Sequence, residues 1–151
     1  MNQATIGFLV REGKVCLGMK KRDFGKDKYN GFGGKVGNKE EFKNETVEES
    51  LIREGTEEFG IVVTKMKKAA ELVYEWKDGS KLVHVFVIEE WEGEPRESDE
   101  MRPEWFDIAK LPFEQMWDDD KYWVSDVLTG NMVKFKFVMG EDGKVLEYTS
   151  E

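Results

Sequence analysis

Arg53-Glu54-Gly55-Thr56-Glu57-Glu58-Phe59-Gly60-Ile61 places three glutamates on what reads as the closing turns of a helix, with a glycine to stop it. On a helix, Glu54, Glu57 and Glu58 fall within an arc of roughly 100°, so the three carboxylates share a face. Three like charges held together repel unless something positive meets them, and a hard divalent cation suits carboxylate oxygens. The plainer reading is a solvated acidic face. Two features outside the run weigh against it. Glu45 precedes Arg53 with seven residues between them, and a glycine-rich turn, Gly31-Phe32-Gly33-Gly34-Lys35, lies further upstream.

Outward from this run, Thr46 and Glu49 have the spacing of a capping box, with Asn44 as the other candidate cap. The helix is expected to reach Phe59 and end at Gly60, with Val47, Leu51, Ile52 and Phe59 on its buried side. Segments 5–10 and 15–19 read as strands around the turn Arg11-Glu12-Gly13-Lys14. The glycine-rich turn is too irregular for a strand or helix and lets backbone approach a ligand closely. Residues 61–76 read as one or two strands, followed by the turn Lys77-Asp78-Gly79-Ser80 and a strand over 82–91. A helical pattern covers 120–128 and ends at Gly130. Strands over 132–139 and 145–148 flank Gly140-Glu141-Asp142-Gly143 as a closing hairpin. Strands and helices mix without strict alternation, so the expected class is α+β or an α/β/α sandwich, in a single domain over 1–151.

Composition narrows the function. With 151 residues the chain is about one domain and can bury a real core. A formal net charge of −9 argues against wrapping a nucleic-acid backbone, which calls for a basic stripe. It leaves room for a small phosphorylated ligand, because bound metal ions reverse the local charge. The one cysteine, Cys16, excludes an internal disulfide and fits a reducing compartment. There is no apolar leader and no segment of membrane-spanning length, so the chain is expected to be soluble and cytoplasmic.

These residues resemble the Nudix box. Glu45, Arg53, Glu54, Glu57, Glu58, Gly60 and Ile61 match its pattern in type and spacing. Two positions depart from it. Gly55 stands where the pattern has a bulky aliphatic residue, and ten residues separate Gly34 from Glu45 where the pattern has five. The latter reads as an insertion within Gly37-Asn38-Lys39-Glu40-Glu41-Phe42-Lys43. The likeness extends to Leu17-Gly18-Met19-Lys20-Lys21-Arg22, Tyr29-Asn30-Gly31-Phe32-Gly33-Gly34-Lys35-Val36, Glu97-Ser98-Asp99-Glu100-Met101-Arg102-Pro103 and Met116-Trp117-Asp118-Asp119-Asp120-Lys121-Tyr122-Trp123. Together these are similar to the oxidised-purine nucleoside triphosphatase branch of the Nudix hydrolases, which act on 8-oxo-dGTP and 2-hydroxy-dATP.

The resemblance implies an α/β/α sandwich with a mixed sheet and Mg2+-dependent release of pyrophosphate, with Mn2+ as the alternative ion. It implies metal ligands at Glu54, Glu57, Glu58 and Glu100 and at the carbonyl of Gly33. Glu57 or Glu58 is expected to act on the water as well. Arg53 reads as a structural clamp with Glu45 as partner. Thr5, Lys20, Asn30, Phe32, Gly34 and Lys35 match substrate-lining positions. In Trp117-Asp118-Asp119-Asp120, an indole face suits purine stacking, and carboxylates accept from ring N–H and amine groups. The bland reading of that cluster is an acidic helix N-terminus. Neighbouring carboxylates in a dry pocket do not both ionise readily, so one is expected to keep a proton. Asp118 stands where the family has proline and would add charge beside the pocket. Phe24, Tyr74 and Trp76 are expected pocket walls. His84, Met101, Met116, Trp91, Trp105 and Trp123 are expected in structural roles. The expected partner is a small nucleoside triphosphate, with no nucleic-acid polymer and no membrane, and the chain is expected to be a monomer. Two alternatives stay open. One is the same fold acting on a methylated purine triphosphate, a nucleoside diphosphate sugar or a dinucleoside polyphosphate. The other is a nucleotide-binding domain impaired by Gly55 and the insertion.

Overall fold

The computed structural model describes residues 1–37 and 39–151. Eight strands form one mixed sheet: β1 (Asn2–Arg11), β2 (Lys14–Lys20), β3 (Tyr29–Asn30), β4 (Val62–Trp76), β5 (Gly79–Glu92), β6 (Met101–Asp107), β7 (Val133–Met139) and β8 (Val145–Ser150). Their order is β3-β2-β1-β5-β4-β7-β8, with β6 on β2. The β1–β5 and β4–β7 pairs are parallel, and the remaining pairs are antiparallel.

Among the described residues, two α-helices cover the sheet. Helix α1 (Val47–Phe59) buries Leu51 and Phe59 against Leu9, Cys16, Phe32, Ile61, Phe86 and Ile88. Helix α2 (Asp120–Leu128) buries Trp123, Val124 and Val127 in a second core with Phe8, Leu72, Val85 and Phe137. The expected sandwich with a mixed sheet is therefore the fold. Trp123, Met101 and Met116 are buried as expected, while Trp91 and Trp105 are half-buried and stacked on each other at the core's edge. Among the described residues, no helix is long and apolar enough to cross a membrane.

The start and stop of α1 follow its local chemistry. Thr46 accepts a hydrogen bond from the Glu49 N–H, and Glu49 accepts one from the Thr46 N–H, which completes the capping box. Gly60 ends the helix at φ 68°, a left-handed conformation that glycine adopts without steric cost. Val47 and Ile52, expected on the buried side, are only half-buried. Gly55 fits its neighbours closely: an added Cβ would lie 3.2 Å from the Phe32 ring and 3.5 Å from Val63. Its role is to let the helix sit down on Phe32, which removes the grounds for reading it as a sign of decay. Replacing Gly55 by leucine should therefore lower the thermal midpoint despite better helix propensity, at a cost of about 1–3 kcal/mol for overpacking.

The site is opened by the way β2 leaves β1. The two strands pair only from Leu9↔Cys16 to Arg11↔Lys14. Beyond that, the glycine-rich segment takes the freed edge of β1. The Thr5 N–H donates to the Gly34 carbonyl at 2.9 Å, the Gly7 N–H to Phe32 at 2.7 Å, and the Val36 N–H to Gln3 at 2.9 Å. Gly33 sits at φ 148°, and a Cβ there would lie 2.0 Å from the Thr5 carbonyl oxygen. Only glycine fits that approach.

His84 is buried in the middle of β5. Lys68 approaches its Nδ1 at 2.9 Å, and its Nε2 lies 2.6 Å from Gln3 Oε1. An ammonium can only donate, so the ring is neutral with its proton on Nε2. Burial and the Lys68 charge hold its pKa below the ordinary value. Its expected structural role agrees with this placement.

Candidate active site

Three acidic groups separate on folding. Glu54 and Glu58 turn inward and are buried at 6% and 2% exposure, whereas Glu57 stays exposed. The shared face expected from helical spacing is thus divided by the sheet beneath it. Glu58 Oε1 accepts from the Gly33 N–H at 3.2 Å, and its Oε2 is buried without a hydrogen-bond partner. Gly34 leaves the space that Glu54 occupies, since a Cβ there would lie 2.7 Å from Glu54 Oε1. Burial, reinforced by the neighbouring Glu54 carboxylate, pushes the Glu58 pKa well up. Glu54 is also raised, with burial as the main cause.

Arg53 ties these acids to the loop before the helix. Its Nε and Nη2 donate to Glu45 at 3.1 and 2.9 Å, while Nη1 reaches Glu54 at 3.1 Å and Glu57 at 3.3 Å. Glu45 also accepts from the Gly37 N–H at 2.9 Å, and its pKa is lowered, chiefly by Arg53. The inserted segment has a structural role that the sequence did not reveal. Its residues Glu40–Phe42 form a 3-10 turn, and the Phe42 ring lies 4.2 Å from the Arg53 guanidinium carbon. The insertion therefore covers the clamp with an aromatic face. Asn38, part of that insertion, lies outside the described residues.

Among the described residues, no group of three or more acidic, His or Cys side chains is already gathered as a cation site. Glu100 lies across the cleft, 3.4 Å from Lys20 Nζ and 3.4 Å from Arg22 Nη2. The donor set still fits a hard cation. An orphaned buried carboxylate oxygen on Glu58 sits beside a second buried carboxylate and a glycine backbone that leaves room. That is an oxygen-rich environment in which Arg53 meets Glu54 but nothing meets the second oxygen of Glu58.

A cavity of about 400 Å³ joins this region to the second cluster. Its lining includes Glu58, Gly33, Gly34, Thr5, Lys20 and Asn30 together with Trp117, Asp119, Asp120, Tyr74, Trp76 and Phe24. Asn30 Oδ1 accepts from the Gly31 N–H at 2.8 Å, which fixes the side chain and leaves its amide donors. Asp119 and Asp120 are each 3% exposed. Asp119 Oδ2 accepts from the Tyr74 hydroxyl at 2.6 Å and from Trp123 Nε1 at 2.9 Å. Asp120 Oδ2 accepts from the Trp117 N–H at 3.1 Å. Burial raises both pKa values. Asp120 is raised furthest, because burial is compounded by the Asp119 charge, whereas two strong donors stabilise Asp119 as the anion. Of the two, Asp120 is the carboxyl whose surroundings disfavour the anion more.

Some expected site residues lie elsewhere. The Phe32 side chain is fully buried against Phe59 and Gly55, and it is absent from the cavity lining. Lys35 is exposed and absent from the cavity lining, next in sequence to Gly34, which belongs to it. Asp118 faces away from the base pocket: its Oδ2 accepts from the Val145 N–H at 2.9 Å, and its Oδ1 lies 3.3 Å from Lys121. It pins β8 to the start of α2 and is absent from the cavity lining, and its charge reaches the pocket only as a minor influence that raises Asp119. The Val145 N–H is the main reason its pKa is lowered. Asp118→Ala should cost about 1–2 kcal/mol at neutral pH and leave base preference unchanged. A lowered folded-state pKa stabilises above the ordinary aspartate value of about 3.9 and is lost as pH falls through the folded value. The melting difference between variant and parent should accordingly disappear in strong acid.

The indole face expected to stack a purine is already flanked. Phe24 stacks on Trp117 with ring centroids 4.9 Å apart, and Lys28 Nζ lies 5.1 Å from the indole. Phe24 is 74% exposed. Sequence reading missed Lys28, Lys81 and the hairpin residues Met139, Gly140, Glu141, Asp142 and Gly143 in the cavity lining. The alternation of β5 could have pointed to Lys81, which shares a face with Val83.

The arrangement agrees with what the chain is similar to. A family model described as NUDIX domain matches residues 1–127. The oxidized purine nucleoside triphosphate hydrolase of Danio rerio is 49% identical over 121 residues, covering 79% of this chain and 74% of that protein. The Mus musculus protein of the same name is 36% identical over 147 residues, covering 96% and 91%. A MutT protein from Bacillus halodurans shares the fold with a TM-score of 0.83 at 21% identity, covering 100% of this chain and 98% of the other. The box residues on α1, the sandwich fold and these matches agree, and the chain belongs to the NUDIX family of hydrolases.

Proposed function

We infer that the chain hydrolyses oxidised purine nucleoside triphosphates, of the 8-oxo-dGTP and 2-hydroxy-dATP type, to the monophosphate and pyrophosphate. The observation that carries this reading is the joining of Glu58, Gly33 and Gly34 to Trp117, Asp119 and Asp120 in one cavity. That the Danio rerio and Mus musculus relatives carry the name of this activity supports it.

A bound Mg2+, or Mn2+, would neutralise charge on the polyphosphate and polarise it for attack by water. Glu54, Glu57, Glu58, Glu100 and the Gly33 carbonyl are the oxygens that would hold it. Glu57 and Glu100 now pair with Arg53, Lys20 and Arg22, and would exchange those partners for the ion. The chain's own residues supply the remaining functions. Arg53 fixes the rotamers of Glu54 and Glu57 through its bonds to both and to Glu45. Glu58, buried and raised in pKa, takes or holds the proton of the attacking water at its unpartnered oxygen. The Lys20 ammonium, half-buried in the cavity wall, meets phosphate oxygens. Lys35, exposed and next in sequence to Gly34 of the lining, acts in the same way on a bound polyphosphate. Asp119 accepts from a purine N–H, the protonated Asp120 donates, and Asn30 and Thr5 complete the polar lining. We place the protein in the cytoplasm as a single-domain monomer. Cys16 is fully buried there, its thiol raised to about 12 by burial.

The test is pyrophosphate release with Mg2+ from a panel of nucleotides: oxidised guanine and adenine triphosphates, their normal counterparts, a methylated purine triphosphate, a nucleoside diphosphate sugar and a dinucleoside polyphosphate. Fastest turnover of the oxidised triphosphates is expected. Preference for any of the last three would overturn the substrate assignment.

A further inference from the structure

Lys81 is a cation inside the base cavity that none of the site motifs accounts for. It lines that cavity with Val83, its neighbour two residues on along β5. Its cross-strand partner in β4 is Tyr74, the residue whose hydroxyl holds Asp119. Directly paired residues project to the same side of a sheet, so Lys81 stands on the Asp119 side. Its Nζ lies 5.5 Å from the Trp76 ring, 5.9 Å from Phe24 and 6.0 Å from Tyr74. It forms no ion pair among the described residues. Three ring faces attract an ammonium but accept none of its hydrogen bonds with full strength. Burial and the nearby Lys35 lower its pKa, and Asp119 works against them.

We propose that Lys81 is a specificity-determining residue that donates a hydrogen bond to a carbonyl oxygen of the purine, and so favours oxo-purines over purines that present only amines. The chemistry of the two walls is complementary. The Asp119 carboxylate reads ring N–H and exocyclic amine groups and the protonated Asp120 offers the base one donor, whereas the Lys81 ammonium, on the other wall, can only donate. An N–H beside a C=O is the edge pattern of oxo-purines, guanine and its oxidised form alike, and adenine lacks it. An adenine amine turned toward Lys81 would set donor against donor. This inference rests on the base-pocket reading given under the proposed function, but not on turnover.

The test is equilibrium binding of 8-oxo-dGMP and dAMP, without metal, to the parent, Lys81→Met and Lys81→Arg. Loss of a charged hydrogen bond should weaken 8-oxo-dGMP about tenfold in Lys81→Met, while dAMP stays within roughly twofold of the parent. Lys81→Arg, which keeps a charged donor, should retain the preference. A thermal melt of each variant separates lost binding from lost fold, since a folded Lys81→Met must still show the selective loss. Equal weakening of both ligands, unchanged binding of both, or no preference in the parent overturns the inference. Pyrophosphate release from 8-oxo-dGTP is measured alongside. A parent that binds 8-oxo-dGMP through Lys81 yet cleaves no triphosphate overturns the activity and upholds Lys81. A parent that cleaves oxidised triphosphates while Lys81→Met keeps its full preference does the reverse.

Discussion

Glu58→Gln should cut turnover of the substrate by about a thousandfold and leave the fold in place, the range expected when a positioned proton acceptor is removed. The substitution is nearly isosteric. Its amide can still accept from the Gly33 N–H, so the contact that seats the glycine turn on α1 survives. The second oxygen is replaced by an amide and can no longer take a proton. In the parent this atom is buried with no partner, a state that costs free energy unless a ligand relieves it. A neutral amide also suits this place, where burial and the neighbouring Glu54 already disfavour a second anion. Glu58→Gln should therefore melt at or above the parent's temperature while being almost inactive. A thermal melt and a steady-state rate on the same preparation check both halves. Turnover near the parent's would remove Glu58 from the chemistry.

Asp119→Asn should lower the preference for oxidised over normal purine triphosphates by about tenfold, the worth of one charge-assisted hydrogen bond. Asparagine is chosen over alanine for a reason visible in the packing. Asp119 Oδ2 accepts from both Tyr74 and Trp123 in a buried place, and alanine would leave both donors unpaired. Asparagine keeps an acceptor there and removes the anion from the pocket. Asp120 should respond, because the Asp119 charge contributes to its raised pKa. The effect should fall mainly on KM and on the ratio between substrates, with the Mg2+ dependence of the rate unchanged. An unaltered substrate ranking would detach Asp119 from base recognition.

The sequence was most legible where the signal is local. The capping box at Thr46, the left-handed Gly60, the extent of α2 and the closing hairpin all rest on residues within a few positions of one another. Strand β6 could not be read the same way. Met101-Arg102-Pro103-Glu104-Trp105-Phe106-Asp107 carries a proline and three charges, and it is a strand because β2 offers its outer edge. The candidate site divides along the same line. Helical spacing groups Glu54, Glu57 and Glu58, but only the sheet decides that two go inward and one stays out. Asp118 looked like a pocket residue by adjacency to Asp119. Its partner is Val145, 27 positions away, a contact no local pattern encodes. Phe42 over Arg53 and Lys81 over the aromatic wall are likewise products of tertiary folding.

The claim on which this account depends is that one cavity receives both the base and the polyphosphate of one molecule. A crystal structure of the Glu58→Gln protein with 8-oxo-dGTP and Mg2+ tests it directly. The account predicts the purine against Asp119, Asp120 and Lys81, and the phosphates beside Gly33, Gly34 and the α1 acids with the ion between them. A nucleotide bound elsewhere, or α1 acids facing solvent with no ion while the base pocket is filled, would contradict it.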